Sequence, residues 1–219
     1  MARGISDKGH EPVREWLKSL EAADRKAVGE DLVTVQWGWP VGMPLCGPMG
    51  DGLWEVRTAL GSRRIARVLF CFHAGVIVAL HGFIKKTQKT PDQDLQLARK
   101  RAKRGESSMN QSLGSSLDDF LKEEDVFEET QAQAIKRVIA WQLGETMKRQ
   151  NITKTQMAAM MQTSRSQIDR LLDPKSDVTI TSLQKAAALV GKRVHIELGR
   201  TTPATPEGLA ARQATDSGP

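Results

Sequence analysis

Five cationic side chains fall on or beside three short apolar stretches in the first half of the chain. Arg57, Arg64 and Arg67 lie within them, and Lys85 and Lys86 close the third. Guanidinium and ammonium groups crowded on one small sheet repel one another unless an anion sits among them, so the set points to phosphate. Strand-edge gatekeepers, which discourage edge-to-edge association, are the other reading of the same residues. Arg67 falls among Ile65, Val68 and Phe70, which suggests a sheet edge. His81 is the one nearby group that titrates near neutrality. It alternates with inward Leu80 and fits either proton transfer or a core histidine. Trp54 fits either a base-stacking platform or the core.

A second constellation lies in residues 152–173, ITKTQMAAMMQTSRSQIDRLLD. Thr153 and Ser164 each stand where a helix N-cap is expected, and Ala158 is small enough for a close helix crossing. Ile168 and Leu171 turn inward. Arg165, Ser166, Gln167, Asp169 and Arg170, with the cap Ser164, are then left on an outer face. That is the placement of side chains that meet base edges in a major groove. Arginine there suits guanine O6/N7, and Lys154 suits a backbone phosphate. A plain helical bundle with solvated arginines is the alternative.

The elements that must position these residues are legible in outline. Residues 12–21 carry Val13, Trp16, Leu17 and Leu20 at helical spacing behind Pro12, and 22–36 place Val28, Leu32 and Val35 on one stripe. Residues 38–52, rich in glycine and proline, read as a loop. Three strands follow at 53–60, 64–72 and 76–83, joined by Gly61-Ser62 and His73-Ala74-Gly75 as hairpin turns. A helix is expected over 91–104. The polar stretch 105–116 reads as a flexible linker. Helices are expected at 131–150, 153–161, 164–172 and 180–190, then a short strand at 193–198 (RVHIEL) and a disordered tail from 199.

Charge divides the chain more sharply than pattern does. Residues 85–104 hold eight basic and two acidic side chains, and residues 117–129 hold seven acidic and one basic. The acidic stretch interleaves its charges with Leu117, Phe120, Leu121, Val126 and Phe127, as a helix docking on a basic, partly apolar groove would. It is therefore expected to cover the basic surface. The formal net charge of +6 resides wholly in residues 1–108, and such a basic unit meets phosphate most often. Two distant cysteines and four scattered histidines outline no metal centre. No apolar run approaches the roughly 18–20 residues of a membrane span. A cytoplasmic protein without metal or cofactor is expected.

EPVREWL (11–17), GDGLWEVR (50–57), RIARVLF (64–70) and LHGFIKKTQKTP (80–91) resemble the phage-derived, HigB-like branch of the RelE/ParE toxin superfamily. The resemblance implies a fold and an activity for residues 1–104. The fold is α+β: a helical hairpin, an antiparallel sheet and a C-terminal helix. The activity is metal-independent cleavage of mRNA on the ribosome, with the RNA 2′-hydroxyl as nucleophile. It assigns Arg57 and Arg67 to the scissile phosphate, Lys85 and Lys86 to flanking phosphates or the leaving oxygen, and His81 to proton transfer. Two features depart from the relatives. The chain has no tyrosine to act as a general base, and MARGISDKGH lacks the alternation of the strand that precedes their first helix.

Residues 135–198 resemble the XRE/Cro repressors, specifically HigA-type antitoxins, with Gln162 where that family usually has a turn glycine. The joint reading is a fusion: toxin 1–104, linker 105–116, acidic neutralising segment 117–130, an all-α helix-turn-helix domain with a short terminal strand at 131–198, and a tail. Its implied partners are operator DNA, mRNA and the ribosome, and a second copy in a homodimer. The toxin–antitoxin contact could be made within one chain or in trans. A repressor with an inert toxin fold, and a ParE-like inhibitor of DNA gyrase, are the rival readings.

Overall fold

The computed structural model describes residues 2–6, 10–85, 91–173, 176 and 178–194. The expected strand RVHIEL beyond Val194, the tail and Lys86 lie outside the described residues. The described residues fold into a six-stranded mixed sheet with eight α-helices. The strands are β1 (Ala2–Ile5), β2 (Cys46–Gly50), β3 (Leu53–Ala59), β4 (Ile65–His73), β5 (Val76–Lys85) and β6 (Leu113–Ser116). The helices are α1 (Pro12–Ser19), α2 (Ala22–Gly38), α3 (Asp92–Ser112), α4 (Leu117–Glu123), α5 (Phe127–Arg149), α6 (Lys154–Met160), α7 (Arg165–Leu172) and α8 (Ile180–Leu189). Spatial order in the sheet is β2-β3-β4-β5-β1-β6. All neighbours are antiparallel except β1 and β5, which run parallel.

The meander β3-β4-β5 forms as its pattern predicts. His73 pairs with Val76 across a tight turn in which Ala74 and Gly75 both take positive φ, 47° and 77°, the geometry that matches the twist of a two-residue hairpin. The β3–β4 connection is instead a 3-10 turn, Gly61–Arg63, and Arg64 precedes β4 rather than lying in it. Both faces of the sheet are covered, which is why β4 reads as a nearly unbroken apolar run. Val56, Val68 and Phe70 pack under α1 and α2 with Leu17, Val28 and Leu32. Leu53, Leu69, Val78 and Leu80 pack under α3 with Ala98. Trp54 belongs to the first core, its ring edge-on to Trp39 at 4.7 Å, so it does not present a stacking platform.

Four sequence expectations are corrected. The chain does begin with a strand: β1 pairs with β5 through Ala2↔Ile77, Arg3↔Val78 and Gly4↔Ala79. A strand that short gains its place from neighbours on both sides rather than from alternation in its own sequence. The 38–52 loop contains edge strand β2, where Pro48 is tolerated because one side of an edge needs no ladder donor. The 105–116 linker is the end of α3 followed by β6, which closes the sheet on β1. Arg67 is not at an edge either; β4 lies inside the sheet, and Arg67 is 7% exposed.

Helix α2 is buried on more sides than its predicted stripe, because α5 packs along its outer surface. Small residues permit the approach of both α4 and α5: a Cβ at Gly29 would stand 2.9 Å from Leu121 Cδ2 of α4, and one at Gly38 2.8 Å from Val138 Cγ2 of α5. Arg137 on α5 closes the contact, pairing with Asp31 and, at 3.1 Å, with Glu30. Burial raises the Asp31 carboxyl above its ordinary value, against the opposing pull of Arg137. The 23 residues of α5, about 35 Å of helix, span two cores. Ala134 lies in the first, while Leu143 and Met147 join Met157, Ile168, Leu171, Leu183 and Val190 in the second.

Candidate active site

The meander register gathers the candidate cations at one end of the sheet, on the face that α3 covers in part. Arg57 stands directly opposite Arg67, Arg67 opposite Phe83, and Ile65 opposite Lys85. Like charges facing each other across strands destabilise a sheet. Here the conflict is answered from inside. Glu55, fully buried and two residues before Arg57 on the same face, accepts a hydrogen bond from Arg57 Nε at 2.5 Å on Oε1 and from Arg67 Nη1 at 2.7 Å on Oε2. The anion that repulsion demands is therefore first of all a carboxylate of the chain itself, which corrects the inference that the cations require a bound phosphate.

Glu55 was absent from the sequence-based candidates. Its signal was there: in LWEVR the acid shares period two with Arg57, so the two must emerge on one face.

The clamp leaves charge to spare. Among the described residues, Arg57 and Arg67 share the Glu55 carboxylate, and Lys85 feels the charges of all three, three positive to one negative. Arg67 is 8% exposed at its side chain and serves to fix the geometry, whereas Arg57 is 32% exposed. Loss of solvation, then repulsion from Arg67 and Arg57, lowers the Lys85 ammonium below its usual value. On the neighbouring strand β2, burial and then the Glu55 charge push the Cys46 thiol up to about 12, so it stays protonated and inert. The arrangement can hold a phosphate between Arg57 and Lys85, with Arg67 fixed behind them.

His81 lies on the same face and has two partners. Its Nε2 is 2.8 Å from Asp94 Oδ1, and Arg101 Nη1 approaches Nδ1 at 3.3 Å. The tautomer that satisfies both is Nε2–H donating to Asp94, with Nδ1 accepting from Arg101. The ring stacks on Phe83 at a centroid distance of 5.5 Å. With both nitrogens engaged, His81 holds α3 against β5. It could accept a proton only after Arg101 moved. Arg64 leaves the set altogether, pairing with Asp24 at 2.8 Å.

The acidic segment docks elsewhere than its charge suggested. Leu117, Phe120 and Leu121 are buried against the α1–α2 side, with Val126 and Phe127 packed beside them. Glu123 pairs with Arg14, Glu124 with Arg25, and Glu129 with Lys26 at 2.5 Å. These described partners lie on α1 and α2, outside the basic stretch 85–104. The segment lies across the sheet from Arg57, Arg67, Lys85 and His81, because the apolar residues of α4 complete the core under α1 and α2 and carry the acids with them.

The second constellation is arranged as its spacing predicts. Thr153 and Gln156 form a reciprocal capping box at the start of α6, and Ser164 Oγ accepts from the Gln167 amide at the start of α7. Ala158, Ile168 and Leu171 are buried. Gln162 turns the chain with φ 54°, the left-handed conformation that explains why glycine would be favoured there. Arg165, Ser166, Gln167, Asp169 and Arg170 are exposed on α7. Lys154 reaches Asp169 at 2.6 Å, so a phosphate would have to take Lys154 from that carboxylate.

The Lys154 hydrogen bond holds the Asp169 carboxyl below its ordinary value of 3.8. The pair therefore favours the folded arrangement above that value, and its contribution is lost as pH falls through the lowered one. In Lys154→Ala, the Asp169 side-chain titration followed by NMR is expected to move up toward 3.8. An unmoved titration would dissociate the shift from Lys154.

Among the described residues, no cluster of three or more His, Cys, Asp or Glu side chains could hold a metal ion, and no helix is long and apolar enough to cross a membrane. No curated protein matches the chain. Residues 15–103, which hold the clamp, Lys85 and His81, match the family model of the phage-derived Gp49-like proteins, a family of RelE/HigB-like toxins.

Proposed function

We propose that the chain is a toxin–antitoxin fusion: a ribosome-dependent, metal-independent mRNA interferase in its first half, restrained by a second half that binds operator DNA and represses its own promoter as a dimer. The observation that carries the reading is the cation-surplus end of the sheet, Arg57 and Lys85 over the Glu55–Arg67 clamp, within the region that matches a toxin family. Cleavage by the RNA's own 2′-hydroxyl requires charge stabilisation at a pentacoordinate phosphorane, and groups fixed beforehand supply it without reorganising. Arg57 donates to a non-bridging oxygen, and Lys85 faces the departing 5′ oxygen. Glu55 acts through Arg57 and Arg67 and does not touch the substrate.

Restraint does not come from acids placed over the cations, since α4 lies on the other face. It comes from bulk. The helices beyond α4, fixed to α2 through Arg137, enlarge the body that must fit where the ribosome holds its message. Residues 1–126, which keep β6 and the α4 part of the first core while shedding its α5 residues Phe127 and Ala134, are therefore expected to arrest growth on induction, while the full chain does not. Arrest by both, or by neither with folded protein in hand, would remove the restraint from the account.

The exposed face of α7 supports the DNA-binding half of the proposal. Arg165→Ala is expected to weaken binding to the DNA upstream of the chain's own coding sequence by roughly 1–3 kcal/mol and to relax specificity at one base pair. A titration in which the variant matches the parent on upstream and random DNA alike would exclude Arg165 from readout.

A further inference from the structure

We propose that the first half of the chain carries a peptide-binding site for a strand–helix segment, and that residues 113–121 occupy it as a ligand occupies a receptor. A cut between residues 105 and 112 would then leave the two pieces associated. The inference does not rest on RNA cleavage.

The segment is held by three kinds of contact. The first is strand addition: β6 pairs with β1 at Arg3↔Ser116 and Ile5↔Leu113, and Arg3 Nη1 donates to the Gly114 carbonyl at 3.2 Å. The second is side-chain reading of the backbone and hydroxyls. Glu11 Oε1 accepts from the Ser115 amide at 2.8 Å, its other oxygen accepts from Ser115 Oγ, and Arg14 Nη1 donates to the same hydroxyl at 2.8 Å. The third is apolar burial of Phe120 and Leu121, with Arg14 lying over the Phe120 ring at 5.4 Å. Gln36 joins both ends of the site, accepting from the Ala2 amide at 2.6 Å and donating to Asp118 at 3.1 Å. Main-chain pairing supplies affinity in such a mode, and the side-chain pockets supply selectivity.

Selectivity is concentrated at Gly114. A Cβ there would lie 2.8 Å from both the Glu11 carboxylate carbon and its Oε1. That carboxylate cannot retreat without abandoning Ser115. The site therefore accepts glycine at the position before the paired serines and rejects larger residues.

Insertion of a specific protease site between Ser108 and Met109 of the full chain tests the proposal. Cutting removes the tether, whose effective concentration is roughly millimolar for a short connection, so only the contacts of residues 113–121 and those of α5 on α2 remain, and Gly114→Val separates the first from the second. The cut parent is expected to run as one complex in size-exclusion chromatography when diluted to about 1 µM, and the cut Gly114→Val chain to dissociate at least about tenfold more readily. Separation of the cut parent on dilution would overturn the proposal. Equal association of Gly114→Val would overturn the selectivity assigned to Gly114. Glu11→Ser combined with Gly114→Val removes the carboxylate that the new side chain meets. The double variant should fold where the single one fails, or bind more tightly where both fold. A double variant no better than the single one would also overturn the steric role of Glu11.

Discussion

Glu55→Ala is expected to destabilise the protein by about 3–5 kcal/mol, because removing one partner from a buried ion pair leaves the other charged and desolvated. The effect should be large here for a second reason. Arg57 and Arg67 face each other across β3 and β4, and the Glu55 carboxylate bonds to both. Glu55→Gln keeps the volume and one acceptor and should fall between the two. Glu55→Leu combined with Arg67→Met should recover most of the loss, since an apolar pair of similar volume can replace a buried ion pair at little cost. Urea denaturation of the three variants measures this. A loss below roughly 1 kcal/mol for Glu55→Ala would show that the clamp contributes little to the fold.

Leu121→Ala should destabilise by about 2–5 kcal/mol, the range for truncating a buried leucine whose surroundings cannot collapse. Leu121 is 1% exposed and meets the backbone of α2 at Gly29, where no side chain is available to refill the gap. Leu97, 37% exposed on α3, provides the comparison: its truncation should change stability by no more than about 0.5 kcal/mol. Equal effects at both positions would mean that α4 is not part of the core. The same contacts explain why a fragment ending at 104 is a poor probe of the first half. It would strip β6 from β1 and remove Leu117, Phe120 and Leu121 from the core under α1 and α2.

Local signals carried much of this far. The β3-β4-β5 meander, the caps at Thr153 and Ser164, the inward Ile168 and Leu171 and the helical second half follow from period, turn chemistry and capping, all of which act within a few residues. What was hidden depends on partners distant in sequence. β1 and β6 are each four residues long and exist because they pair with each other and because β1 also pairs with β5. Among the described residues, the acidic segment pairs with Arg14, Arg25 and Lys26, because apolar burial of Phe120 and Leu121 decides where its charges land. The cations of the candidate site are legible in the sequence, whereas the bond from Arg67 to the carboxylate that organises them joins residues 12 apart on neighbouring strands and depends on their register.

The most direct measurement is mapping of 5′ ends on ribosome-bound message treated with purified residues 1–126, beside Arg57→Ala in the same fragment and a message carrying a 2′-deoxy sugar at the cut position. The account predicts discrete cleavage that leaves a 2′,3′-cyclic phosphate, vanishes at the 2′-deoxy position, and falls by about two orders of magnitude or more in Arg57→Ala. Intact message with a folded fragment, or cleavage indifferent to both Arg57 and the 2′-hydroxyl, would contradict it and leave the first half as a non-catalytic partner of the second.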